Sequence, residues 1–186
     1  MKFGMIGPAA LLCLVLASAQ AAPVDPPTAA RDAERYCTSH GGAVQERIPE
    51  YGTNNPNPLV LGGSREFCQF TSKKDGSQIN VLVGTLATPL PSLAALAYYA
   101  KVPLASGCAG NPASCYCSQL GGSDLFGGVN AAGGGWVLST DSTDVLEACI
   151  FPDLSSIDSW GLAYHSDSIV RGRDLATALK YKNPHS

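Results

Sequence analysis

A repeated cysteine motif constrains the fold of this chain more than any other feature. Tyr36–Gly42 reads Tyr-Cys-Thr-Ser-His-Gly-Gly, and Tyr116–Gly122 reads Tyr-Cys-Ser-Gln-Leu-Gly-Gly. A second match, Cys68–Phe70 with Cys149–Phe151, follows at nearly the same spacing in each half. Matches in the same order at the same offset are typical of duplication. The sequence therefore predicts one small cysteine-closed unit that is used twice.

The N-terminal segment has the pattern of a signal peptide, predicted at residues 1–21. Lys2 precedes a short apolar run, and Ala19-Gln20-Ala21 offers the small residues that a signal peptidase reads before Ala22. Cys13 lies within the apolar run and is predicted to leave with the signal. The mature protein is then secreted, either outside the cell or into a periplasm, and its six remaining cysteines predict a disulfide framework.

The repeat narrows the disulfide pairing. In each unit a helix that carries one cysteine ends at a Gly-Gly pair, and a later strand carries the other cysteine. This arrangement predicts the bridges Cys37–Cys68 and Cys117–Cys149, which leaves Cys108–Cys115 as a local bridge near the junction of the units.

Local signals place the helices and strands. Asn111 is a good N-cap, Pro112 suits the first helical position, and Gly121 suits a helix end, which together predict a helix over 112–120. Further helices are predicted over 92–101 and 174–182. The first of these matches either Leu162-Ala163-Tyr164 or the segment from Leu175 in the second unit. Short apolar segments between turn residues predict strands at 43–48, 59–61, 66–71, 123–126, 135–139 and 146–151.

These elements predict an α+β fold. It consists of two related small units, each a helix with an antiparallel sheet stapled by disulfides, at residues 22–104 and 105–186. The units are either separate or packed as one body. The uncharged stretch 79–100 has nearly the length of a membrane span, but Gly84, Pro89 and Pro91 interrupt it, so a buried strand and helix are favoured.

The second unit resembles a known family of small bacterial domains that carries a hemolysin label and occurs in secreted proteins and lipoproteins. The residues that carry the resemblance are Asn111-Pro-Ala-Ser, Tyr116-Cys117, Gly121-Gly122, Cys149-Ile-Phe151-Pro152-Asp153, Ser156 and Trp160-Gly-Leu-Ala. The resemblance implies a compact secreted domain of unknown function.

Composition and motifs exclude several function classes. A formal charge of −3 without a Lys/Arg cluster argues against nucleic acid as a partner. No nucleophile elbow, zinc-protease helix or phosphate-binding loop occurs. The sequence therefore predicts no catalytic set, no cofactor and no metal site.

Several residues that could bind or catalyse are better explained by structure. His40, His165 and His185 lack a neighbouring partner for acid–base work. Cys108, Cys115 and Cys117 could hold a metal in a reducing compartment, but oxidised pairs are expected after secretion. The acidic cluster Asp141, Asp144 and Glu147 lacks the spacing of an EF-hand, and Trp136 and Trp160 are expected to pack in a core rather than line a ligand groove.

Two functions fit these observations. The leading hypothesis is a non-enzymatic binding protein, acting on a host or a competitor, whose partner is an extracellular protein or a small ligand. The alternative is a secreted hydrolase with a site between the two units. A deep polar cleft with carboxylates and His40 or His165 would favour the enzyme, and a broad exposed apolar patch would favour a binding surface. Membrane lysis lacks the basic amphipathic helix that it often uses.

Overall fold

A computed structural model of the chain describes residues 26–124 and 131–185. The signal peptide predicted at residues 1–21 lies outside the described residues, as do residues 125 and 126 of the strand predicted at 123–126.

Within these ranges the chain forms six helices: α1 (Pro26–Ser39), α2 (Val83–Ala87), α3 (Leu93–Ala100), α4 (Pro112–Gln119), α5 (Ser159–Ser166) and α6 (Leu175–Ala178). The same ranges contain eight strands: β1 (Ala43–Tyr51), β2 (Leu59–Val60), β3 (Arg65–Thr71), β4 (Gln78–Leu82), β5 (Gly134–Leu138), β6 (Asp141–Leu146), β7 (Ala148–Ile150) and β8 (Ser156–Asp158). Every strand pair is antiparallel. The predicted α+β class is confirmed.

The predicted helix ends follow local chemistry, with one exception. Asn111 caps α4 by accepting hydrogen bonds from the N–H groups of Ala113 at 2.9 Å and Ser114 at 3.4 Å. The helix predicted over 174–182 is instead the four-residue α6. It ends early because the N–H of Lys180 donates to the carbonyl of Leu86 rather than to a helical carbonyl.

The sheet is curved. Its strand order is β6-β5-β1-β3-β4-β8-β7. The short strand β2 also pairs with β1, along the same edge as β3. The two ends of this order, β6 and β7, are consecutive in the chain and are separated only by Glu147. The end of β6 therefore lies close to the start of β7, and side chains of β3, β5, β6 and β7 meet in one cluster, so the sheet is curved and has an inner and an outer face.

The two faces have different cores, because successive side chains of a strand point to opposite sides. The outer face packs against the helices through a large buried cluster that includes Phe70, Val81 and Ile157. The inner face holds a smaller cluster of Phe67, Trp136, Leu146 and Ala148. Most of the core therefore lies between the sheet and its helices.

The disulfides are Cys37–Cys68, Cys117–Cys149 and Cys108–Cys115. These are the three pairs that the repeat predicts. The first two are fully buried and tie α1 to β3 and α4 to β7. Each has a glycine pressed against it: a Cβ atom at Gly42 would overlap the sulfur of Cys68, and one at Gly122 would overlap the sulfur of Cys149.

Positions that match between the two copies of the sequence motif also have similar local geometry. Ala43 pairs with Gln69, the residue after Cys68. In the second half, Ser123 pairs with Ile150, the residue after Cys149. After each strand, an aspartate accepts from the residue two places on: Asp75 from Ser77 at 3.0 Å and Asp153 from Ser155 at 3.1 Å.

Strands from both predicted units belong to one sheet. β1 pairs with β5, and β4 pairs with β8. The boundaries at residues 22–104 and 105–186, and the duplication itself, stay predictions. The stretch 79–100 contains β4, α2 and α3, and no helix in the described ranges has the length and apolar character needed to cross a membrane.

Candidate functional site

The inner face of the sheet changes from polar to apolar along its length. In the antiparallel pair of β4 and β8, Val81 lies opposite Ile157 on the outer face. This register places Asn80 beside Asp158 and Leu82 beside Ser156 on the inner face. The polar pair opens onto one cavity, and the other pair opens onto a second.

We call the first cavity the polar cleft. It has a volume of about 390 Å³ and is lined by residues of both predicted units, namely Gln78, Asn80, Asp144, Val145, Leu146, Glu147, Asp158, Trp160, Tyr164 and Arg171. Its size lies within the range of small-molecule sites.

Asp158 is the most buried ionisable group of the polar cleft, with 7% of its surface exposed. It caps α5 by accepting a hydrogen bond of 2.9 Å from the N–H of Gly161. Burial raises the pKa of the Asp158 carboxyl, although the Gly161 amide, the Asn80 side chain and the positive charge of Arg171 oppose this shift. The site therefore favours a protonated carboxyl more than water does.

Asn80 and Arg171 flank Asp158, and each presents a buried polar atom without a partner. Within the described part of the chain, neither the side-chain oxygen of Asn80 nor the Nε of Arg171 has a hydrogen-bond partner. Most buried polar atoms in native proteins are hydrogen-bonded. Two residues that line the cleft with Asp158 thus have an unused acceptor and an unused donor.

Two aromatic rings of α5 complete the wall. The rings of Trp160 and Tyr164 lie 6.0 Å apart at 35°. The guanidinium of Arg171 lies over the Tyr164 ring, with its carbon 4.9 Å from the ring centre. This cation–π contact fixes the position of the arginine at the cleft.

The acidic cluster predicted from the sequence is divided among separate partners. Asp144 pairs with the buried Arg47 at 3.0 Å, and Glu147 accepts two hydrogen bonds from the Asn111 amide at 3.2 and 2.9 Å. Asp141 accepts from Thr143 at the exposed start of β6. Across residues 26–124 and 131–185, no three metal-ligating side chains come together.

The histidines weighed for catalysis do not line the polar cleft. His40 stacks on Tyr36 with ring centres 4.0 Å apart. His165 stacks on Tyr98 at 3.8 Å, and burial lowers its pKa. The cleft has carboxylates but neither His40 nor His165, so it contains only one of the two kinds of group that would favour an enzyme.

The two tryptophans lie in different places in the fold. Trp136 packs on Phe67 in the inner core at 5.4 Å and also borders a small apolar cavity, whereas Trp160 lines the polar cleft. The chain also exposes an apolar segment at β2, made of Leu59, Val60 and Leu61.

Asp158 is expected to make stability depend on pH. Because its folded pKa is raised, the folded protein binds this proton more tightly than the unfolded chain, and the resulting stabilisation is lost as pH rises from the ordinary value of 3.8 through the folded value. In this window the free energy of unfolding is expected to fall by up to about 1.4 kcal/mol per pH unit from this group. Asp158→Asn, which keeps the cap oxygen, is expected to remove that slope in urea denaturation between pH 4 and 8.

Asp153 provides a control, because its pKa is shifted in the opposite direction. Burial alone would raise its pKa, but hydrogen bonds from Ser155 and from the N–H of Leu93 lower it overall. Asp153→Asn is therefore expected to remove stability that is present above the unfolded pKa and lost as pH falls. An Asp158→Asn protein with an unchanged pH profile would contradict the assignment.

No sequence motif points to Asn80, Asp158 or Arg171, because they come from two strands and a loop. No family model, curated protein or solved structure matches this chain, so its resemblance to the hemolysin-labelled family stays a prediction.

Proposed function

We propose that this chain is a secreted, disulfide-stabilised binding protein whose ligand occupies the polar cleft. One observation carries the proposal: the unpartnered oxygen of Asn80 and Nε of Arg171 belong to residues that line the same cleft as the buried Asp158. A buried polar atom without a partner costs roughly 1–3 kcal/mol. A ligand that bonds to these atoms recovers that cost.

The chemistry of the cleft favours a neutral hydroxylated ligand. Asn80 offers an acceptor and Arg171 offers a donor, and the Asp158 carboxyl, whose pKa burial raises, offers both when it is protonated. Hydroxyl groups donate and accept at once, so they match all three. The rings of Trp160 and Tyr164 provide apolar faces for the C–H side of a sugar ring. We therefore assign the ligand to the saccharides.

Secretion is part of the proposal. The three disulfides fit an oxidising compartment rather than the cytoplasm. The signal-like segment at residues 1–21 supports export.

A glycan array followed by calorimetric titration tests the saccharide assignment. We expect saturable binding of a neutral mono- or disaccharide, with affinity lowered about tenfold or more by Trp160→Ala and by Arg171→Gln. Tyr51→Ala, which removes an exposed aromatic ring outside the cleft, is the matched control. If no neutral saccharide binds at millimolar concentration, or if binding is indifferent to both cleft variants, the proposal fails.

A hydrolase is the second candidate, favoured by the raised pKa of Asp158 and by Glu147 in the same cleft. Glycoside hydrolysis uses two carboxyl groups, one of them an acid with a raised pKa. Incubation with nitrophenyl glycosides between pH 4 and 6 separates the two functions. Release of nitrophenol that Asp158→Asn abolishes would replace binding by hydrolysis, whereas the binding proposal expects none.

A further inference from the structure

The second cavity on the inner face is largely apolar and shares no lining residue with the polar cleft. It has a volume of about 210 Å³, and Phe67, Leu82, Trp136 and Ile150 form its walls. Phe67 and Leu82 are directly opposite each other on β3 and β4. An apolar cavity of about 150 Å³ can hold benzene, so this one has room for a single ring with small substituents. We call it the ring pocket.

A buried hydroxyl in the wall of the ring pocket has no partner. Ser156 lies opposite Ile150 on the inner face and is 3% exposed. Its N–H donates to Thr85, but its Oγ makes no hydrogen bond within the described residues. A hydroxyl buried without a partner is unusual in a finished core. It indicates that a polar group of a ligand belongs there.

A positive charge stands at the rim of the ring pocket. Arg65 is exposed, lines the pocket, and has no carboxylate partner among residues 26–124 and 131–185. It lies directly opposite Arg47 in the pairing of β1 with β3. The carboxylate of Asp144 pairs with Arg47 and not with Arg65.

Leu154 adds an exposed apolar side chain to the same rim. It lies in the turn between β7 and β8 with a φ of 63° and 68% of its surface exposed. A leucine in the left-handed region costs free energy, and such residues concentrate at ligand sites. Here the strained turn holds the leucine over the pocket mouth.

We propose that the ring pocket binds a single-ring aromatic carboxylate that carries a hydroxyl group. The ring lies among Phe67, Leu82 and Trp136, its carboxylate pairs with Arg65, and its hydroxyl bonds to Ser156. The charge and the buried hydroxyl together select this class over purely apolar rings. This site is independent of the saccharide assignment for the polar cleft.

Fluorescence of Trp136 tests this proposal directly. The chain has two tryptophans, so Trp160→Phe leaves Trp136 as the reporter in the pocket wall. We expect 4-hydroxybenzoate to quench this fluorescence saturably and to bind more tightly than benzoate or phenol. Arg65→Gln should weaken both carboxylates about tenfold and leave phenol unchanged, as expected for loss of a charged hydrogen bond. Ser156→Ala should remove the preference for 4-hydroxybenzoate over benzoate.

Arg35→Gln removes the same charge from an exposed site on α1 and serves as the control. Both test variants should fold, because Arg65 is exposed and the Ser156 hydroxyl has no partner to lose. The proposal is overturned if no probe binds saturably up to millimolar concentration. It is also overturned if all three probes bind equally, or if neither Arg65→Gln nor Ser156→Ala changes their order.

Discussion

Replacing Cys117 and Cys149 together with alanine is expected to lower the free energy of unfolding by about 3–4 kcal/mol. The bridge links residues separated by 32 positions, and its loss frees that loop in the unfolded chain. The same change at Cys37 and Cys68, separated by 31, is expected to cost as much. Since small domains have about 5–15 kcal/mol of stability, loss of both bridges, about 6–8 kcal/mol together, is expected to remove a large part of the protein's stability.

Guanidinium denaturation of the oxidised protein measures this effect. The Cys108–Cys115 bridge is the control, because its separation of only 7 predicts a loss nearer to about 2 kcal/mol. It also lies outside the large buried cluster that holds the other two bridges. Equal losses for all three bridges would show that loop length and burial do not set their contributions.

Asp144→Ala is expected to lower the free energy of unfolding by about 3 kcal/mol. Arg47 is 1% exposed, and Asp144 is the carboxylate that pairs with it, through contacts of 3.0 and 3.2 Å. Removing the carboxylate leaves a buried positive charge supported only by neutral oxygens of Gln45 and of the backbone. The cost lies at the lower end of the usual range because the Asp144 side chain is 38% exposed.

A double variant separates the charge from the packing. Arg47→Met with Asp144→Ala removes both charges and is expected to be more stable than Asp144→Ala alone, since a buried pair can often be replaced by apolar groups at little cost. Asp141→Ala, which removes an exposed carboxylate at the start of the same strand, should have a much smaller effect. A double variant less stable than Asp144→Ala would mean that the arginine contributes mainly through its neutral hydrogen bonds.

The disulfides and the capped helix α4 could be predicted because their determinants are local. Asn111 and Pro112 act within one turn of the helix. Gly121, with a φ of 83°, ends the same segment at a position that the sequence marks. The cysteines recur at a fixed distance from such glycines, so the pairing followed from the repeat.

The polar cleft could not be predicted, because long-range pairing creates it. Asn80 and Asp158 meet only through the register of β4 on β8, which rests on one residue pair. Asp158 reads in the sequence as a turn or cap residue, and it is indeed the cap of α5. Its burial and raised pKa come from the sheet around it, on which the local sequence carries no information.

The curved sheet also sets the order in which the molecule can fold. β1, β3 and β4 are neighbours both in the chain and in the sheet, so they can pair early at little loop-closure cost. β5 and β8 pair with strands from the other half of the chain and must dock later. Until they do, β1 and β4 each expose an unpaired backbone edge, the state from which chains aggregate edge to edge. Yield during production should therefore depend more on how quickly the second half docks than on the stability of the finished protein.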